Sequence, residues 1–124
     1  MSWNFQTDRP IYSQLIELIS QKIISGEYTP GYRLPSVRDM ANQAGVNPNT
    51  MQRALSDLEK TGLIRTERTT GRFVTDDDQL LIKTKTELAY SQIREFFRHM
   101  LRLGVTPEQA LALAAQAIEK KELN

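Results

Sequence analysis

The most informative segment of this chain reads GVNPNTMQRALSDLEKTG and spans residues 45–62. Asn47 can accept a hydrogen bond from a free N–H group of a first helical turn, and Pro48 suits the first position of a helix. Apolar residues then recur at three- and four-residue spacing, which predicts one buried stripe. The stripe consists of Met51, Ala54, Leu55 and Leu58. Gly62 is placed to end this helix, and the other side of the helix is polar.

Further elements are predicted on both sides of this helix. A first helix covers about residues 10–25, and a second short helix follows Ser36, whose side chain can cap it. Downstream, residues 63–68 and 72–75 are expected to be extended, and residues 69–71 form a candidate hairpin turn. The order helix, helix, turn, helix, hairpin is that of a winged helix-turn-helix.

The last third of the chain is predicted to form two helices, one over about 78–103 and one from Thr106 to about 121. An aspartate run at 76–78, interpreted as a linker or helix cap, separates an expected domain 1–75 from a region 76–124. Six apolar residues of the longer helix are assigned to packing and dimerisation: Leu88, Ile93, Phe96, Phe97, Met100 and Leu103. The predicted fold is mainly α with a small β-hairpin, a winged helix-turn-helix followed by a two-helix dimerisation region.

Composition excludes several classes of protein. The chain has 124 residues, with 16 Lys and Arg against 15 Asp and Glu, so a histone-like basic coat is excluded. It has no Cys and one His, His99, which excludes disulfides, thiolate nucleophiles and Cys-based or His-rich metal sites. No cofactor or metal is expected. There is no secretory signal and no apolar run near the roughly 20 residues that span a bilayer, so a cytoplasmic protein without a membrane partner is expected.

The polar side of the 48–61 helix carries Asn49, Thr50, Gln52 and Arg53 near its N-terminus. Asn or Gln can bind adenine through two hydrogen bonds, Arg can bind guanine, and a Thr methyl can contact thymine. A helix N-terminus also directs free N–H groups at phosphate. On an arbitrary helix these residues would only face solvent, but the helix-turn-helix context favours DNA binding.

Arginines between residues 33 and 72 add a modest positive charge, and several suit phosphate contacts. Arg72, beside the Gly of the hairpin turn, suits a minor groove. The alternatives for these residues are ion pairs on the surface and a plain hairpin. The predicted DNA-binding set is Arg33, Ser36, Arg38, Asn47, Asn49, Thr50, Gln52, Arg53, Thr70, Gly71 and Arg72.

Four segments, residues 31–38, 45–55, 58–64 and 71–74, together resemble the GntR family of bacterial transcription regulators, and residues 10–15 look like the usual opening of its first helix. The resemblance covers about residues 9–75. The Asn-Pro-Asn-Thr start of the third helix is typical of the YtrA-type and MocR-type branches. MocR-type proteins carry a large aminotransferase-like domain for which this chain has no room, so the short two-helix tail points to the YtrA-type branch.

The resemblance implies a homodimer on double-stranded DNA with an inverted-repeat operator, most often as a repressor, and it suggests control of a transport operon. Family DNA contacts map onto Arg38, onto Gly71 of the wing, and onto the four polar residues of the third helix named above. The sequence departs from the family pattern at Pro48 and Gln52, where many members have Arg, so a different operator is expected. Thr69 replaces a frequent wing Gly.

Three alternatives remain open at this stage. A winged-helix adaptor would use the same fold to bind protein, although the base-reading residues argue against it. The sequence offers few groups suited to catalysis, which argues against an enzyme. Weak binding of a divalent ion at residues 76–78 is less favoured than a helix cap. An unknown small-molecule effector could bind between subunits, in a cleft lined by Tyr90, Phe96, Phe97 and Met100.

Overall fold

The computed structural model describes residues 3–121, which form five helices and one two-stranded hairpin. In chain order the elements are α1 (Ile11–Ile24), α2 (Val37–Ala44), α3 (Pro48–Thr61), β1 (Ile64–Glu67), β2 (Gly71–Val74), α4 (Asp78–Arg102) and α5 (Pro107–Glu119). The predicted fold class, mainly α with a small β-hairpin, is confirmed. Element ends differ from the predicted ones by one or two residues, as in the first helix, where Pro10 precedes the helix instead of opening it.

The predicted helix caps form as expected around α2 and α3. The Ser36 hydroxyl accepts a hydrogen bond of 3.1 Å from the backbone N–H of Asp39. The side-chain oxygen Oδ1 of Asn47 accepts one of 2.7 Å from the backbone N–H of Asn49. Gly45 and Gly62 end the two helices in left-handed conformations that glycine adopts without a Cβ clash.

One hydrophobic core joins α1, α2, α3 and the hairpin. The stripe predicted for α3 is fully buried, with none of its four side chains more than 1% exposed. It shares the core with residues of α1, α2 and the hairpin, among them Leu15, Ile19, Met40, Ile64 and Val74. Because one side of α3 is used for packing, its polar side is left on the surface.

The hairpin pairs β1 with β2 in antiparallel register, with Ile64 opposite Val74 and Glu67 opposite Gly71. The structure adds a third short extended segment that the sequence did not indicate. An antiparallel bridge joins Arg33 to Phe73, and the N–H of Leu34 donates to the Arg72 carbonyl at 2.9 Å. This bridge joins the segment before α2 to the hairpin of β1 and β2, which is called the wing.

The chain divides into two compact units, Met1–Thr84 and Lys85–Asn124. The division lies inside α4, later than the boundary expected at residues 75 and 76. The reason is that Leu80 and Leu81, in the first turn of α4, pack against the core of the first unit. The second unit contains the rest of α4 and α5, whose N-terminus has a capping box formed by Thr106 and Gln109.

Candidate nucleic-acid interface

Helix α3 presents the predicted base-reading residues together on its surface side. Asn49, Gln52 and Arg53 are exposed, and Thr50 is partly exposed. The Gln52 amide nitrogen donates a hydrogen bond of 3.2 Å to the hydroxyl of Ser56, one turn along the helix. Residues four apart on a helix are neighbours, so this contact orients the Gln52 side chain along the surface of α3.

Cap formation engages two members of the predicted DNA-binding set. The Ser36 hydroxyl and the side-chain oxygen Oδ1 of Asn47 both accept from backbone N–H groups of the helices that they begin. These caps fix where α2 and α3 begin. Both residues are exposed, and their contacts with DNA stay predictions.

The predicted arginines fall into two groups in the structure. Arg33, Arg38 and Arg53 are exposed, and within residues 3–121 no carboxylate pairs with any of them. Arg72 instead donates from Nε to Glu59 of α3 at 2.8 Å, with only 22% of its side chain exposed. The contact ties the wing to α3, and the minor-groove contact predicted for Arg72 stays a prediction.

The wing tip has its own polar network. The Thr70 hydroxyl donates to a carboxylate oxygen of Glu67 at 2.9 Å, and Arg65 pairs with the other oxygen of the same carboxylate. These two hydrogen bonds hold the pKa of Glu67 below its usual range. Thr70, predicted to face DNA, therefore also braces the turn.

Gly71 and Arg33 come together although they are far apart in the sequence. Gly71 has φ +117°, and a Cβ built on it would lie 3.3 Å from Nε of Arg33. The missing side chain at residue 71 lets the Arg33 guanidinium lie over the wing backbone. Gly71, which the sequence indicated as a turn residue and as a member of the predicted DNA-binding set, thus leaves space for the Arg33 side chain.

Glu59 lies on α3 beside the hairpin, and its side chain is partly buried. Partial burial raises its pKa, but hydrogen bonds from Thr66 and Arg72 and the charge of Arg72 lower it more. The pKa of Glu59 therefore lies below its ordinary value, because the folded state favours the ionised carboxylate.

Sequence reasoning missed Tyr12, a residue of α1 that contacts α3. The Arg53 guanidinium carbon lies 3.9 Å from the centroid of the Tyr12 ring. No local pattern indicates this contact, because it depends on how α1 packs against α3. The contact between Gln52 and Ser56 could be predicted from the sequence, because residues four apart on a helix lie side by side.

The apolar residues assigned to dimerisation lie in the second unit. Leu88, Ile93, Phe96 and Leu103 are exposed, and Phe97 and Met100 are partly buried. The Phe96 and Phe97 rings meet edge to face, with centroids 5.4 Å apart. Further large apolar side chains are exposed in the same unit, namely Tyr90, Leu101, Leu111, Leu113 and Ile118.

A winged helix-turn-helix whose third helix has an exposed polar side is the fold of a class of DNA-binding transcription regulators. Residues 11–74 match the family described as bacterial regulatory proteins, gntR family. This chain belongs to the GntR family, as its sequence motifs predicted.

Two relatives from Bacillus subtilis (strain 168) match over most of their length. The chain is 38% identical to the uncharacterized HTH-type transcriptional regulator YhcF, over 90% of this chain and 92% of that protein. It is 30% identical to the HTH-type transcriptional repressor YtrA, over 84% of this chain and 81% of the relative. The predicted likeness to the YtrA-type branch is thereby confirmed.

Solved structures agree with this assignment. A GntR family transcriptional regulator from Listeria monocytogenes superposes with a TM-score of 0.82 at 35% identity, covering 90% of this chain and 98% of that one. AraR(DBD) in complex with operator ORX1 matches 58% of this chain and 93% of that one, with a TM-score of 0.54 and 31% identity. The chain is a DNA-binding transcription regulator and not an enzyme.

Residues 3–121 show neither a metal site nor a membrane span. No group of three or more His, Asp or Glu side chains there is arranged to hold a metal ion. None of the helices in this range has the length and apolar character needed to cross a membrane.

Replacing Glu59 by Gln tests the contact between the wing and α3. Since the pKa of Glu59 is lowered on folding, its ionised form stabilises the fold above its unfolded pKa, and this contribution is lost as pH falls through the folded pKa. We expect Glu59→Gln to lose about 1 kcal/mol of stability at neutral pH and progressively less as pH falls through the folded pKa of Glu59, measured by urea unfolding at neutral and acid pH. Glu17→Gln, which breaks an exposed ion pair with Arg9, should change stability by less than about 0.5 kcal/mol. If the loss of stability caused by Glu59→Gln does not become smaller toward acid pH, the ionised carboxylate does not stabilise the contact between the wing and α3.

Replacing Gly71 by Ala tests whether the space at residue 71 positions the Arg33 side chain. The Cβ would crowd Arg33 and force an unfavourable φ, so we expect a loss of about 1–3 kcal/mol in urea unfolding. Gly31→Ala is the matched control, because Gly31 also has positive φ, +79°, but nothing lies within 4 Å of its added Cβ. We expect DNA affinity to fall further in Gly71→Ala than in Gly31→Ala, and equal affinities would show that the position of Arg33 does not matter.

Proposed function

We propose that this chain is a homodimeric repressor that binds an inverted-repeat operator in the cytoplasm, where the chromosome is accessible. The observation that carries the proposal is the exposed N-terminal side of α3, where Asn49, Gln52 and Arg53 stand together without a carboxylate partner in the described chain. These residue types match the hydrogen-bonding groups of base edges.

The proposed roles divide between reading and positioning. Asn49, Thr50 and Gln52 read bases in the major groove, and Arg38, exposed on α2, binds a phosphate and fixes the register. Support comes from the likeness to AraR(DBD), whose structure contains an operator. The repressor direction follows the names of relatives such as YtrA.

Dimerisation is proposed to use the exposed apolar side of α4 in the second unit. At about 100° per residue, Leu88, Phe96 and Met100 lie toward one side of the helix. Large apolar side chains left exposed are favourable only when another surface covers them, and a second copy of the chain satisfies this requirement. Two copies related by a two-fold axis would match the two halves of an inverted repeat.

The regulated genes and the small-molecule signal are proposed only from the resemblance to the YtrA-type branch. That resemblance favours a transport operon as the regulated target. A small-molecule effector between the subunits, next to Tyr90, Phe96, Phe97 and Met100, stays a prediction.

The first experiment is selection of bound duplexes from a random DNA pool at about 150 mM salt. We expect an enriched inverted repeat, whose half-site spacing reports the geometry of the dimer. No enrichment, together with an absence of salt-dependent DNA binding, would favour a protein–protein adaptor and contradict the proposal.

Variants of the interface separate base reading from phosphate binding. Gln52→Ala and Asn49→Ala should each cost about 1–3 kcal/mol on the selected operator and little on random duplex. Arg38→Ala should weaken both and lower the slope of affinity against salt by about one unit. Gln116→Ala, an exposed glutamine of α5, is the control and should bind like the unchanged protein. Equal losses on both duplexes for all three interface variants would contradict the proposed roles.

A charge placed on the apolar side of α4 tests dimerisation. We expect the double variant Ile93→Asp with Phe96→Asp to weaken self-association by about 100-fold, because two carboxylates would have to be buried. Ser91→Asp adds the same charge on the opposite side of the helix and should leave self-association unchanged. Sedimentation velocity gives the oligomeric state of each variant. If the double variant dimerises as well as Ser91→Asp, the interface lies elsewhere.

A further inference from the structure

Tyr12 of α1 contacts the side chain of Arg53 of α3. Tyr12 lies in the first turn of α1, is partly buried and packs against the hydrophobic core. The ring is therefore held by its surroundings, whereas Arg53 is exposed. The guanidinium carbon lies 3.9 Å from the ring centroid, well inside the roughly 6 Å range of a cation–π contact.

A separation of 3.9 Å between the guanidinium carbon and the ring centroid suits a ring that lies against the face of the guanidinium. A guanidinium has its N–H groups in one plane, so an aromatic ring against the face of that plane does not compete for them. Arg72, by contrast, donates to Glu59, and Arg65 pairs with Glu67. Arg53 has no such carboxylate partner within residues 3–121.

A stacked arginine also loses less freedom when it binds. Free arginine side chains have high rotamer entropy, part of which is lost on binding to a phosphate or a base. Restricting the side chain beforehand lowers this cost and sets the direction of the hydrogen bonds. Tyr12 is well placed to do this, because its own position is set by the packing of α1.

We propose that Tyr12 is a positioning residue for DNA binding, which orients the Arg53 guanidinium so that its N–H edge faces a pair of acceptor oxygens or nitrogens on the duplex. The inference rests on the proposed function, since it requires that α3 binds DNA. Phosphate oxygens and the O6 and N7 atoms of guanine share this acceptor chemistry. Comparison of operator and random duplex distinguishes them, because only a guanine contact is lost selectively on the operator.

The test is a double-mutant cycle on the full chain, with affinity measured on the selected operator and on random duplex at one salt concentration. We expect Tyr12→Leu to weaken operator binding about three- to ten-fold, because the aromatic face is lost. Tyr12→Phe keeps the ring and should bind within about two-fold of the unchanged protein. The double variant Tyr12→Leu with Arg53→Ala should bind no more weakly than Arg53→Ala alone, since both changes act through one contact.

Several outcomes would overturn the inference. Losses that multiply in the double variant would mean that Tyr12 acts independently of Arg53. A Tyr12→Phe variant as weak as Tyr12→Leu would assign binding to the hydroxyl. Full affinity of Tyr12→Leu beside a weakened Arg53→Ala would remove Tyr12 from binding altogether while leaving the proposed function intact.

Failure of the proposed function has a separate signature, because the unchanged protein would then bind neither duplex, and the inference would fail with it. Tyr12 packs against the core, so thermal unfolding of every variant is measured alongside. If Tyr12→Leu is unfolded at the assay temperature, Tyr12→Met takes its place in the cycle. Methionine fills similar space and favours helix but offers no aromatic face.

Discussion

Helix α3 buries one of its sides completely, and most of the arrangement described above depends on that packing. Met51, Ala54, Leu55 and Leu58 have essentially no exposed surface, and they meet α1, α2 and the hairpin in a single core. A helix whose apolar stripe is used in this way has no freedom to rotate about its axis. The polar residues at its N-terminus are therefore held toward solvent as a group, which is what binding to a DNA groove requires.

The surface around α3 is organised by contacts between elements that are distant in sequence. The wing is tied to α3 by Arg72 and Glu59, and to the segment before α2 by the bridge at Arg33 and Phe73. Such contacts make a two-stranded hairpin, which is marginal alone, part of one rigid unit. They also separate arginines that serve the fold from arginines that remain available to a ligand.

The second unit presents a different physical situation. Its only buried apolar residue among those described is Ala110, and large side chains along both helices are exposed. A small pair of helices buries little surface, and the proposed dimerisation would cover the side chains that this unit leaves exposed. The DNA-reading unit, in contrast, has a core of its own.

The sequence by itself determined the elements and the family. Local signals suffice for these, since Asn47, Pro48 and Gly62 act on the backbone beside them and the stripe of α3 follows the helical period. Relatives and solved structures confirmed the resulting winged helix-turn-helix and the GntR family. The polar residues predicted to read DNA also lie together on the surface side of α3, because their spacing alone places them there.

Only the tertiary structure decided which side chain each arginine meets. Arg72 contacts Glu59, Arg53 contacts Tyr12, and Arg33 lies over Gly71. It also placed the division of the chain inside α4, where a polar aspartate run had indicated an earlier one. These features depend on the relative placement of packed elements, which helical periodicity and turn signals do not encode. An arginine carries the same charge in each setting, and only its neighbours in space determine whether it supports the fold or faces DNA.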